Sequence, residues 1–123
     1  MSTTTVSLRP PFVVQWRKGN RVIVIGKVLQ LGDRMVLATP YRNRRFHTPS
    51  IPQAVLEYLL GIGAEDWVVR LDQQRAAYRI RLSDIPRVAT ISPDGEWVVP
   101  FHHFTRSAYV EWPFVEQAVL VEP

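Results

Sequence analysis

The run Arg21 to Leu31, RVIVIGKVLQL, constrains the fold more than any other segment of the chain. It is continuous, β-branched and aliphatic, which predicts a strand. Lys18-Gly19-Asn20 precedes it as a hairpin signal and Gly32-Asp33 follows as a second tight turn. A strand flanked by two tight turns must pair antiparallel with what comes before and after it. Phe12 to Arg17 (FVVQWR) and Arg34 to Thr39 (RMVLAT) are therefore its expected neighbours, in a three-stranded meander. Gly26, inside the central run, marks a bulge or bend.

Beyond the meander the pattern changes period. Ser50 is the expected N-cap of a short helix, Gln53 completes a capping box, and Pro52 fits the first turn. Val55, Leu56, Leu59 and Leu60 form its apolar side, and Gly61 or Gly63 ends it. Trp67–Leu71 and Ala77–Leu82 read as a hairpin. A turn centred on Gln73-Gln74 sets Val69 opposite Tyr78 and Trp67 opposite Ile80. Arg70, Arg79 and Arg81 then share the other side, near Glu65, Asp72 and Asp84 as partners. Ser92 to Glu96 (SPDGE) is a turn between VATI and EWVVPFHHF, and Gln117 to Val121 (QAVLV) is a closing strand. The expected class is mainly β (a β-rich α+β fold), one domain over residues 1–123. Its form is a small antiparallel barrel or curled sheet of about 6–8 strands, with one short helix near residues 51–60.

Composition narrows the function classes. Hydrophobic residues at 46% and charged residues at 21% describe a globular chain rather than a disordered one. No apolar run approaches the roughly 18 residues of a membrane span, and MSTTTVSLRPPF lacks the pattern of a secretory signal, so no membrane partner is expected. Cysteine is absent, which excludes disulfides, thiolate nucleophiles and cysteine-ligated zinc and agrees with a cytoplasmic setting. Two methionines and ten prolines suit a heat-adapted protein, a picture that base composition also produces.

The net charge of +4 is unevenly spread. Residues 1–61 hold nine basic and two acidic residues, giving +7, and residues 62–123 hold six basic and nine acidic, giving −3. Such asymmetry points to a polyanion-binding face or to head-to-tail association of a homo-oligomer. Thirteen of the fifteen basic residues are arginine, whose planar fork matches phosphate and stacks on aromatic rings.

The densest cationic stretch is Tyr41 to Gln53, YRNRRFHTPSIPQ. Arg42, Arg44 and Arg45 offer bidentate phosphate contacts, and Tyr41, Phe46 and His47 offer stacking surfaces for bases. Arg17, Lys18 and Arg21 of the first hairpin are expected to contribute. A solvated connecting loop is the competing reading of the same residues. Trp112 and Phe114, in the irregular segment VEWPFVEQ, are candidates for a protein interface.

No cofactor and no metal site is expected. His102 and His103 are adjacent in a predicted strand and so point to opposite faces, and His47 stands alone. The chain has no Gly-x-Ser-x-Gly elbow, phosphate-binding glycine loop or His-Glu-x-x-His, so no catalytic residue is assigned.

Ile51 to Asp72, IPQAVLEYLLGIGAEDWVVRLD, resembles the helix–turn–strand signature of AbrB-type swapped-hairpin regulators and antitoxins. Ile51-Pro52, Leu60-Gly61 and Asp66 match that signature, while Glu65 stands where a glycine is usual. The resemblance covers 22 of 123 residues and implies DNA binding without identifying the fold. The expected function is non-enzymatic nucleic-acid binding through phosphate contacts. The alternatives are a protein–protein assembly component, such as a virion or multisubunit-complex part or a regulator of a larger enzyme, and, more weakly, a small metal-independent nuclease.

Overall fold

A computed structural model describes residues 8–41, 48–71 and 76–122. The meander forms as its turns dictate, with β1 (Phe12–Lys18), β2 (Arg21–Leu31) and β3 (Arg34–Tyr41) antiparallel in sequence order. Between β3 and the next sheet strand the chain makes a short strand, β4 (Ser50–Pro52), and a helix, α1 (Gln53–Gly61). It then re-enters the sheet as β5 (Asp66–Leu71), parallel to β3. A crossover that carries a helix returns the chain in the same direction, which is why this pair is parallel. β6 (Ala76–Arg81) pairs antiparallel with β5, and its register matches Trp67 to Ile80 and Val69 to Tyr78 as the sequence predicts.

A second short helix, α2 (Ile85–Val88), leads to β7 (Thr90–Ile91) and β8 (Glu96–Val98). These join β4 in a small sheet of order β4-β8-β7. β9 (Thr105–Ser107) borders β6, and β10 (Ala118–Val121) borders β1 in parallel. The main sheet is therefore β10-β1-β2-β3-β5-β6-β9.

The mainly β class holds and a curled sheet agrees with it, while the barrel alternative, the antiparallel pairing, the single helix and the count of 6–8 strands do not. The sheet is open rather than a closed barrel, with β10 and β9 at its edges. It is mixed rather than antiparallel, and a second short helix joins the expected one. Ten strands lie among the described residues because several two- to four-residue pieces pair locally. No helix among these residues is long and apolar enough to cross a membrane.

Both faces of the central strands are covered. On one face Phe12, Val14, Val28, Leu37, Trp67 and Val69 pack with Ile51 and with Val55 and Leu59 of α1. On the reverse face Leu29, Val36, Ala38, Val68 and Ala77 meet Val110 and Trp112, which lie on the segment running from β9 to β10. That segment crosses the whole sheet from one edge to the other, which lets β10 run parallel to β1.

The bulge falls where Gly26 predicts it. Val14 pairs with Gly26 and Gln15 with Val24, so Ile25 is the inserted residue. A Cβ on Gly26 would lie 2.5 Å from the Ala38 carbonyl oxygen and 2.8 Å from Thr39 Oγ1. The carbonyl of Ile25 accepts from Thr39 Oγ1 at 3.0 Å, and Thr39 Oγ1 in turn accepts the indole N–H of Trp67 at 2.8 Å.

The capping box is not used. Ser50 lies in β4, the residue before the helix is Pro52, and no side chain caps it. The first helical N–H, of Gln53, donates instead to the Gly95 carbonyl at 3.0 Å, so the β7–β8 turn performs the capping. At the other end Ala64 N–H donates to Leu59 and Gly63 N–H to Leu60, a Schellman motif with Gly63 at φ +87°. Leu60 of the predicted apolar side faces outward, while Val55, Leu56 and Leu59 are buried.

Candidate nucleic-acid interface

The antiparallel register of β2 and β3 decides which cations share an end of the sheet. Lys27 pairs with Ala38 and Leu31 with Arg34, so the start of β2 lies at the same end as Tyr41, the last residue of β3. β2 begins three residues before the level of Tyr41, which projects the Lys18–Arg21 turn roughly 10 Å beyond it. Tyr41 pairs with Leu71, so the chain leaves β3 and β5 side by side at this end.

The arginine stretch itself, Arg42, Arg44, Arg45, Phe46 and His47, lies outside the described residues, as does the side chain of Tyr41. The nearest strand residues on either side of it are described, and both lie at the hairpin end of the sheet. One is Tyr41. The other is Ser50, whose hydroxyl donates to Glu96 Oε1 at 3.4 Å, while Glu96 Oε2 stands 3.7 Å from Lys18 Nζ.

The hairpin cations are not equally available. Arg17 Nε donates to Glu122 Oε1 at 2.7 Å. Lys18 Nζ donates to Asp94 Oδ2 at 3.1 Å. The hydrogen bond that Asp94 accepts, with its charge, holds the Lys18 ammonium above its ordinary range. Hydrogen bonds from Ser92 and then Lys18 lower the Asp94 carboxyl to about 2. Partial burial pushes Glu96 upward. Arg21 is exposed, and among the described residues no acid holds it. SPDGE carries the local signature of a turn, and no residue in it signals that the turn folds back onto the basic hairpin.

The two interface aromatics separate. Trp112 is half-buried on the reverse face, with Lys27 Nζ 4.9 Å and the Arg70 guanidinium 4.7 Å from its ring centroid. Lys27 Nζ also donates to the Pro113 carbonyl at 2.6 Å, and partial burial together with nearby Arg70 lowers its pKa. Arg70 additionally stacks over Tyr109 at 5.3 Å. Phe114, two residues from Trp112, is 85% exposed.

Arg34, Arg79, Arg81 and Arg87 gather towards the opposite end of the sheet. Asp66, 3% exposed, receives a forked pair of bonds from Arg34 at 2.9 and 3.1 Å, and Arg79 stands 3.8 Å away. Of the arginine row Arg79 thus reaches Asp66, whereas Asp84 pairs with Arg87 at 3.8 Å and Glu65 reaches Arg34 at 4.0 Å; Asp72 lies outside the described residues. Asp66 escapes sequence reasoning because it belongs to the same alternating strand face as the arginines, where a carboxylate reads as solvated.

The two adjacent histidines occupy a 3-10 turn, Phe101–His103, rather than a strand. Pro100 precedes this turn, and their rings lie 4.1 Å apart instead of facing opposite ways. Among the described residues no three His, Asp or Glu side chains converge as a metal set would. No protein-family model matches the chain, and comparison with curated proteins and with solved structures yields no match.

Proposed function

We propose that this chain is a non-enzymatic nucleic-acid-binding protein that takes polynucleotide phosphates at the end of the sheet where the Lys18–Arg21 turn projects. The observation that carries the reading is the convergence of that turn with the strand residues on either side of the arginine stretch, through Tyr41 on β3 and through the Ser50–Glu96–Lys18 contacts. Arg42, Arg44 and Arg45 supply the charge-assisted phosphate contacts. Arg21 adds to them, and Arg17 and Lys18 contribute less because Glu122 and Asp94 already engage them. Contacts of this kind position a backbone and carry little sequence information, so modest specificity follows.

Titration of single- and double-stranded oligonucleotides at rising salt tests this. Binding whose log affinity falls with log salt by several units is expected, and a slope near zero with DNA and RNA alike refutes it.

A second reading, an assembly component, is favoured by the exposure of Phe114 together with Val22 and Val24, at 85%, 48% and 58%. Val22 and Val24 pair with Arg17 and Gln15, so they share one face of the hairpin. Sedimentation of the purified chain separates the readings: a strict monomer that shifts oligonucleotides favours the first, and a concentration-dependent oligomer dispersed by Phe114→Ser favours the second.

A further inference from the structure

We infer a second oxyanion site, distinct from the hairpin end, in the groove between Arg79 and Arg81 at the opposite end of the sheet, built to hold a phosphate group. The groove has a volume of about 310 Å³ and is lined by Arg34, Asp66, Arg79, Arg81, Asp84, His103 and Thr105, with Ile80. It continues into two neighbouring depressions, one past Arg81 and Ser83 and the other past Arg87 and His103.

The charge balance of this groove makes it an anion site. Its two carboxylates are matched by other arginines: Asp66 by the fork of Arg34, and Asp84 by Arg87. Glu65, just outside, also faces Arg34. With Arg87 on Asp84, arginines outnumber carboxylates here, and the excess positive charge falls on Arg79 and Arg81. Arg79 also reaches Asp66, at the same 3.8 Å that separates Arg87 from Asp84, but shares that carboxylate with the closer Arg34, and Arg81 has no ion pair among the described residues. The two are separated by one residue on β6, so their side chains leave the same sheet face about 6.6 Å apart. Guanidiniums at that spacing can close on one phosphate from two sides with parallel N–H donors. Thr105, the register partner of Arg79, brings a hydroxyl to the same wall, and His103 brings a ring nitrogen.

Asp66 contributes by position. It is buried and accepts the fork of Arg34, so its charge is already engaged where Arg79 approaches it at 3.8 Å.

The test follows arginine side-chain N–H resonances of the full chain during titration with inorganic phosphate. Saturable shifts confined to Arg79 and Arg81 are expected, with affinity weakened about tenfold or more by Arg81→Gln. The triple variant R42A/R44A/R45A should leave this titration unchanged, which keeps the result independent of binding at the hairpin end. A 5′-mononucleotide and an oligonucleotide then identify the source of the phosphate. Tighter binding of the mononucleotide than of inorganic phosphate assigns a small phosphorylated ligand, and tighter binding of the oligonucleotide alone assigns a polynucleotide backbone. Both variant side chains are exposed, so the fold is retained; an unchanged urea midpoint checks this. Non-saturating shifts shared by all exposed arginines, or saturation unaltered in both Arg79→Gln and Arg81→Gln, overturn the inference.

Discussion

Lys18 Nζ donates to Asp94 Oδ2 at 3.1 Å, so the cation of the β1–β2 turn is held by the turn between β7 and β8. The same β7–β8 turn supplies the Gly95 carbonyl that caps α1. A basic hairpin, an acidic turn and a helix start are thereby joined at one end of the sheet.

This pair predicts a direction for binding. Asp94→Asn leaves Lys18 with the longer 3.7 Å contact to Glu96, so oligonucleotide affinity should rise and the salt dependence should steepen by up to about one phosphate contact. Lys18→Ala should leave binding of the parent chain almost unchanged, because its ammonium is already engaged. Competition titrations at two salt concentrations measure both.

The same contacts set a pH dependence. The Asp94 carboxyl is lowered to about 2 in the folded chain from 3.8, so its contribution to stability is complete above 3.8 and is lost as pH falls towards 2. Glu96 acts in the opposite sense. Its folded value is raised by burial, so its ionisation costs stability as pH rises from 4.5 through that value. Carboxyl titration by NMR should give an Asp94 midpoint near 2, and Ser92→Ala should move that midpoint upward.

Two glycine substitutions should diverge. Gly26→Ala places a methyl 2.5 Å from the Ala38 carbonyl, so a loss of about 1–3 kcal/mol is expected from overpacking at the bulge. Gly61→Ala, at the end of α1, meets no atom within 4 Å and should be neutral or stabilising by up to about 1 kcal/mol through helix propensity. Urea midpoints at constant m-value report the difference.

Trp112 and Phe114 should diverge as well. Trp112→Ala removes a side chain packed on the reverse-face core and stacked with Lys27 and Arg70, a loss of about 2 kcal/mol. Phe114→Ala, at 85% exposure, should stay within about 0.5 kcal/mol. Thermal unfolding of the two variants side by side is sufficient.

The elements fixed by local chemistry are those the sequence reveals. Gly32-Asp33 closes β2 onto β3 and Gly26 carries the bulge, because turn and bulge demands are met by single residues. The Trp67–Ile80 register follows from the length of the loop between β5 and β6. What stays hidden depends on the path of the chain through space. The parallel pairs β3–β5 and β1–β10 require crossovers whose course no local pattern encodes. Ser50 has the residue type of a cap, yet pairing with Val98 in a small sheet outweighs that preference, and a distant carbonyl satisfies the helix. The candidate interface was partly legible. Basic residues cluster in the sequence, but the acids that meet Arg17 and Lys18 come from 105 and 76 residues away, respectively.

The most direct test of the central claim compares the parent chain with R42A/R44A/R45A in oligonucleotide binding across a salt series. A steep salt slope is expected for the parent and a slope about three units shallower for the variant, at an unchanged urea midpoint. Equal slopes for the two proteins, or no salt-dependent binding by the parent, would contradict it.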